Sequence, residues 1–462
     1  MTDIVVIGGG WAGCSASLAA IKAGAEVLLL ERTDMLLGCG LAGGIMRNNG
    51  RYTAAEELKR LGNGELIDAA DACSLQVNIS FPGHEHASLY DTVSMEPVVR
   101  RLLQDMGVKI RFESRVTEVV KCSERRIEGV VLTEGETVAG DVFIEATGSA
   151  GPMSNCARHG NGCSMCVLRC PSFGPRVSLS LAAGVADIAG TRKNEQYGSF
   201  SGSCELNKNS LKAELRNQLE KKGVVVIPLP ESYVNLDLLQ MKACHQYARP
   251  DYVRNIILLD TGGRVKMMMP FCPLELLRTL PGLEYATYEH SRGGGNSLRF
   301  LSRAPRDNAM RVTGLDNLFC AGEKAGFFVG HTEAMVTGSV AGLNSVRSVT
   351  GKPCLELPTS LVCGDLIAFE NAALADRQAL QKRYTFAGGE YFDRMAELEL
   401  YTTDHDTIVK RVDKTGLTGV FAGAKILTQT TTSQSDDTGS ETLPQGDVRH
   451  RHLAAVSGQK FI

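Results

Sequence analysis

The apolar run Ile4-Val5-Val6-Ile7 breaks into Gly8-Gly9-Gly10-Trp11-Ala12-Gly13, passes through an alanine-rich stretch from Ala16 to Ala23, and resumes as Leu28-Leu29-Leu30 before Glu31. That order predicts a buried strand, a glycine turn, a helix and a second parallel strand. After a glycine-rich loop from Gly38 to Gly44, apolar spacing predicts helices through Ala54 to Leu61 and from Glu96 to Met106. Strands follow at Val108 to Phe112, Val116 to Val120 and Ile127 to Leu132, and Asp141 to Glu145 forms a strand closing on Ala146-Thr147-Gly148. From about Gly151 to Pro281 the composition shifts to a cysteine cluster, a polar stretch from Lys193 to Asn209 and a short strand at Val224 to Pro228. The first pattern returns at Leu318 to Glu323, ahead of a small-residue helix from Thr332 to Val346. Beyond Thr428 no periodic apolar face survives, which predicts a disordered tail. The expected division is therefore 1–150, an insertion at 151–281, a return at 282–350, a carboxy-terminal region at 351–427 and the tail at 428–462.

A chain of 462 residues implies two domains or three, and 43% hydrophobic with 22% charged residues is the composition of a soluble globular protein. The net charge of −3 supplies no strongly basic surface for nucleic acid. No apolar run approaches membrane-spanning length, and no basic leader precedes the first strand. A cytoplasmic protein is expected, whose 14 cysteines are reduced thiols, metal ligands or redox groups rather than a disulfide frame.

The glycine turn carries the first chemistry. Gly8 permits the tight turn, Gly10 lets the backbone approach a pyrophosphate, Gly13 lets helix and strand pack closely, and Glu31 can accept from ribose hydroxyls, with Arg32 beside it. Thr147 and Gly148, and then Gly322 and Glu323 ahead of a helix starting at Gly330-His331-Thr332-Glu333, form two further segments expected on the same ligand. A nicotinamide dehydrogenase would not require that carboxy-terminal return, so the ligand expected is FAD, with the helix dipole stabilising the charge of the reduced ring. The fold expected is α/β, a two-dinucleotide-binding-domain flavoprotein with a Rossmann-like FAD domain and an inserted substrate-side domain.

Leu280-Pro281-Gly282-Leu283-Glu284, Asp316-Asn317-Leu318-Phe319 leading into Ala321-Gly322, and Gly338 through Gly342 resemble the glucose-inhibited division protein A family. Cys39 with Gly43-Gly44, and Leu58 to Asp71, resemble that family's first active-site loop. The family includes an FAD-dependent tRNA wobble-uridine modification enzyme and a folate- and FAD-dependent tRNA uridine methyltransferase, so the resemblance implies FAD and makes tRNA a possible partner. The tRNA-binding helical domain at the carboxy terminus of the wobble-uridine enzyme has no evident counterpart in this sequence.

Cys156, Cys163, Cys166 and Cys170 fall within fifteen residues, and Cys163-x2-Cys166-x3-Cys170-Pro171 matches the end of a ferredoxin cluster run. This part resembles the flavoproteins of the heterodisulfide reductase type, which combine FAD with iron–sulfur clusters. A four-iron, four-sulfur (4Fe-4S) cluster, with Cys156 or a distant thiol such as Cys204 as fourth ligand, stands beside a redox-active dithiol and zinc or buried thiols. A cluster here would exchange single electrons with the flavin.

Cys39, in a flexible glycine loop over the flavin, is a candidate nucleophile or a small turn residue. His331 is a candidate proton donor or a capping residue, and Cys320 reads as a buried strand residue. Arg292-Gly293-Gly294-Gly295-Asn296 with Arg299, Arg303 and Arg306 suggests either an anionic-substrate loop or a solvated basic surface. His84 and His86 alternate in an expected loop as metal ligands or exposed residues, and Lys324 is placed at the flavin edge or phosphate. The function expected is FAD-dependent hydride or electron transfer, with NAD(P)H or a ferredoxin-like protein as donor, a small or anionic substrate and a homo-oligomeric state. The alternatives are a flavin-dependent tRNA uridine modification enzyme and a non-enzymatic electron-relay protein.

Overall fold

The computed structural model describes residues 3–148, 173, 174, 176–191, 199, 200, 203–237, 239, 245–269, 272–289, 298, 299 and 301–423. Five short parallel strands form the central sheet: β1 (Asp3–Ile7), β2 (Glu26–Leu30), β3 (Lys109–Arg111), β4 (Val142–Glu145) and β5 (Leu318–Cys320). Their spatial order is β5-β4-β1-β2-β3. β4 and β5 are buried at every residue and β1 at all but its first, which is why they read as unbroken apolar runs. The register aligns the strand ends: Ile7 lies opposite Leu30 and Glu145, Leu30 opposite Arg111, and Glu145 opposite Cys320. Gly8, Glu31, Ala146 and Ala321 therefore leave the sheet side by side along its carboxyl edge, where ligands bind in open α/β sheets.

Helix α1 (Trp11–Lys22) packs along helix α2 (His331–Val349). A Cβ on Gly338 would overlap the carbonyl oxygen of Ala12, and one on Gly342 that of Ala16, so the small residues of both helices set their close approach. Ser15 Oγ meets Ser339 Oγ at 2.9 Å, and Asn63 Nδ2 donates to both. The pairing rises in step along both helices, so they run parallel with their amino termini at the same edge. The antiparallel strands Val116–Ser123, Arg126–Leu132 and Thr137–Ala139 share this core.

A second unit is a four-stranded antiparallel sheet in the order Cys204–Asn207, Arg264–Met267, Asn255–Asp260, Val224–Pro228. Leu215 and Leu219 of helix Ala213–Lys222 fill one face with Leu206, Ile256, Leu258 and Val265. On the other side Ile257, Leu259 and Met268 pack against Ile45, Phe81 and Leu89 of the sheet Ile45–Met46, His84–Tyr90, Ser74–Phe81. The stretch expected as a loop around His84 is thus a strand. Helices Val362–Ala373, Gly389–Glu397 and His405–Lys414 return to the core of the parallel sheet. Cys156, Cys163, Cys166, Cys170, the Arg292 to Asn296 loop and the tail from 428 lie outside the described residues.

Candidate functional site

A cleft opens on the carboxyl edge of the sheet. Gly8, Gly10, Glu31, Arg32, Cys39, Thr147, Gly148, Gly322, Glu323 and His331 all line it, from chain positions more than 300 residues apart. Gly13 stands behind the wall.

The three glycines of the turn do different work. Gly8 has φ +104°, and a Cβ there would overlap the carbonyl oxygen of Ala146. A Cβ on Gly13 would overlap the carbonyl oxygen of Gly8. Gly10 has an ordinary φ of −68°, and among the described residues no atom beyond its chain neighbours comes within 4 Å of where its Cβ would stand, so their packing does not require a glycine there. Gly10 is also the residue preceding α1 and, as a glycine, gives its amino terminus no side-chain cap. Gly330, at φ +145°, likewise precedes α2, again without a side-chain cap. Two parallel helices therefore direct their positive ends into one cleft across glycines, which suits a ligand with separated negative groups.

At one end of the cleft the carboxylate of Glu31 accepts from Gly9 N at 2.7 Å, Thr33 N at 2.9 Å and Thr33 Oγ1 at 2.8 Å. A carboxylate has about four acceptor positions, so these bonds orient it and leave capacity for a ligand hydroxyl. Arg32 Nη1 donates to Gly174 O at 2.6 Å, closing the rim with Arg115. At the other end lie Cys39, Arg176, His331, Lys266, Tyr247 and Met268. Arg176 Nη2 stands 4.0 Å from Cys39 Sγ, a guanidinium beside a thiol. Sequence reasoning did not single out Arg176, Lys266 or Trp11, because no local motif marks them.

Several expectations need correction. The Cys39 loop is no loose flap: Gly38–Ala42 is a 3-10 turn, braced by Tyr90 Oη on Gly40 O at 2.7 Å, Lys266 Nζ on Ala42 O at 2.6 Å and Arg264 Nη1 on Leu41 O at 3.4 Å. Lys324 does not reach the cleft. It is buried, donates to Ser178 Oγ at 2.7 Å and Asp187 Oδ2 at 2.6 Å, and stands 3.6 Å from Glu145 Oε1. Arg303 and Arg306 are neither a ligand loop nor a solvated surface, since both are buried against Glu370 at 3.1 and 2.7 Å. Cys320 is the buried strand residue expected.

His84 and His86 meet different neighbours, Asn48 and Asn78, one ring buried and one partly open, and the register beside them is broken by a bulge. Among the described residues no group of three or more His, Cys, Asp and Glu could hold a metal. His84 is fully buried, its Nδ1 lies 2.9 Å from Asn48 Nδ2, and burial, reinforced by the charge of Arg51, pushes its pKa from 6.5 down to about 3. The unfolded chain takes up this proton below pH 6.5 while the folded one does not, so acid destabilises the fold. Stability falls by about 2 kcal/mol from this group between pH 7 and pH 5. Urea midpoints at the two pH values should therefore diverge less in His84→Gln than in wild type; parallel slopes would exonerate His84.

Known proteins bear on this cleft. The family profile described as "Glucose inhibited division protein A" matches residues 3–254 and 264–353. GidA of Aquifex aeolicus superposes in its form II crystal with a TM-score of 0.67, over 93% of this chain and 75% of that one, at 16% identity. Its form I crystal gives 0.60 over 89% and 78%, at 15% identity. Likeness at such identity establishes the fold. Menaquinone reductase of Mycolicibacterium smegmatis is 28% identical over 162 residues, and the match spans 32% of this chain and only 37% of that enzyme. The corresponding enzyme of Mycobacterium tuberculosis is 27% identical over 166 residues, 38% of its length.

Proposed function

We propose that this chain, which belongs to the glucose inhibited division protein A family, is a flavin-dependent oxidoreductase in which Gly10 and the start of α1 hold the pyrophosphate of FAD. Glu31 and Arg32 would hold its adenosine end, and Thr147, Gly148, Gly322, Glu323 and the start of α2 the remainder. The observation that carries this reading is the pair of glycine-led, uncapped helix starts on one cleft. Gly10 supplies the fit test, because a methyl group there would enter the cleft without touching any described residue beyond its chain neighbours. Bound there, FAD supplies hydride or electron transfer. His331, at the head of α2, would carry the proton that accompanies it, and Arg176 beside the Cys39 thiol favours an anionic small substrate.

Trp11, the single tryptophan of the chain, lines the cleft and reports the test. Addition of FAD is expected to quench its emission saturably, at one FAD per chain. A colourless protein whose emission ignores added FAD would end the proposal. Family membership favours a second reading, flavin-dependent tRNA uridine modification, in which filter binding detects tRNA retained by the protein.

The cysteine spacing supports an added 4Fe-4S cluster on Cys156, Cys163, Cys166 and Cys170. Anaerobic purification should then yield four irons per flavin, and Cys166→Ser should remove iron and keep FAD. Flavin without iron in the wild-type protein would return these thiols to the dithiol reading.

A further inference from the structure

Successive carbonyls of the Cys39 turn each accept from a side chain: Gly40 O from Tyr90 at 2.7 Å, Leu41 O from Arg264 at 3.4 Å and Ala42 O from Lys266 at 2.6 Å. Arg264 and Lys266 alternate on strand Arg264–Met267 of the second unit, so both side chains leave the same face. Leu259, opposite Lys266 in the register, packs from that face against Ile45, just beyond the turn. The exit of the turn is fitted to the same unit, since a Cβ on Gly44 would overlap Thr261 Cγ2. Its entry is fastened elsewhere. Leu37 N donates to Gly9 O at 2.7 Å, in the glycine turn ahead of α1, and Leu37, buried and not a glycine, is held at φ +69°. A leucine stays in that left-handed region only where its surroundings hold it there.

We infer that Lys266 is a positioning residue: its ammonium holds the strained turn closed from the second unit and so sets where Cys39 stands, between Arg176 and the glycine turn. Of the three donors it has the firmest hold. Its bond is charge-assisted, short and buried, whereas Tyr90 is a neutral donor. Arg264 stands farther off and a quarter exposed, with Glu205 and Glu289 within 3.5 and 3.7 Å of the same guanidinium. An ammonium has three protons, so the bond to Ala42 O leaves room for Glu205, which faces Lys266 in the register and accompanies its buried charge. The consequence for an anionic substrate rests on the reading of Arg176 and Cys39 given above; the seating of the turn does not.

Hydrogen exchange of the full-length protein without added FAD, followed by mass spectrometry on peptides spanning residues 37–44, tests this. Leu37 N, Gly40 N and Gly43 N close the turn on Gly9 O, Leu37 O and Gly40 O, so their exchange reports its opening. Lys266→Met, which keeps the stem and removes the charge, should speed these amides about tenfold, the weight of one hydrogen bond to a charged group, while those of β1 exchange as in wild type. Lys266→Arg, which restores a charged donor, should return slow exchange. Turn amides that exchange in Lys266→Met as in wild type overturn the inference. An acceleration shared equally by β1 does the same, because Lys266 would then serve general stability. Should Lys266→Met fail to fold, the neutral donor of Lys266→Gln decides by the same comparison. A protein that binds no FAD yet shows the expected rates would remove the flavin reading and leave this one standing.

Discussion

Gly13→Ala is expected to prevent native folding, whereas Gly10→Ala keeps the fold and loses FAD. At Gly13 the new methyl would overlap the carbonyl oxygen of Gly8, and that oxygen cannot retreat. Gly8 sits at φ +104°, its N–H bonds Leu30 O at 2.8 Å, and its own Cβ position is blocked by Ala146. α1 would have to lift from the sheet and from α2, losing the packing of Ala12, Ala16 and Ser15. Overpacking against side chains costs about 1–3 kcal/mol, and a backbone clash with no escape exceeds that, against a total stability of about 5–15 kcal/mol. At Gly10 no atom of the described residues beyond the chain neighbours stands in the way and φ is unstrained, so alanine costs at most about 1 kcal/mol as a poorer helix cap. The methyl does enter the space assigned to the pyrophosphate. An affinity loss of at least about 100-fold, or 2.7 kcal/mol, is expected from Trp11 quenching. Melting of the FAD-free proteins separates the two variants. Gly10→Ala binding FAD like wild type would mean that the ligand does not cross the head of α1.

Glu370→Ala should be the most damaging change outside the cleft. Its carboxylate is fully buried on helix Val362–Ala373 and accepts from Arg303 Nη1 at 3.1 and 3.2 Å, Arg306 Nη2 at 2.7 Å and Phe327 N at 2.9 Å. Burial draws the Arg306 guanidinium down to about 10, so at neutral pH it remains charged and needs a counter-ion. Removing the carboxylate that meets both buried guanidiniums costs about 3–5 kcal/mol, read as a fall in the urea midpoint. A loss below about 1 kcal/mol would mean that water reaches these arginines. The damage should spread to the cleft, because Phe327 leads through Val329 to the head of α2. Arg51 holds that head from the other side, donating to Glu333 at 3.1 Å and to Val329 O at 2.8 Å. FAD affinity is therefore expected to weaken in Glu370→Ala even at temperatures where it stays folded.

The chemistry most open to direct reading was the part that local geometry enforces. A buried parallel strand must be apolar on both faces, a turn that tight must carry glycine, and a helix packed on a strand at that distance must be small-faced. Ile4 to Ile7, Gly8, Gly13 and the alanines of α1 therefore announced themselves, as did the return at Leu318 to Gly322. The strand containing His84 was obscured because it carries the polar residues Glu85 and His86 and pairs with a bulged partner strand, so its alternation is broken. The carboxy-terminal helices were passed over for another reason: their apolar residues complete a core whose other half lies more than 300 residues away.

The amino-acid order alone thus determined the strand, turn and helix that build one wall of the cleft, together with the two later segments that return to it. Which charged groups face that cleft was decided only by the tertiary structure. Arg303 and Arg306 read as candidate substrate ligands until Glu370 claims them, and Lys324 as a flavin contact until Asp187 and Glu145 claim it, while Arg176 carries no local mark and arrives beside Cys39. The reason is physical. Hydrophobic periodicity and glycine turns are properties of neighbouring residues, whereas the partner that makes a buried charge tolerable is chosen by folding and lies 64 to 179 residues away along the chain in these pairs.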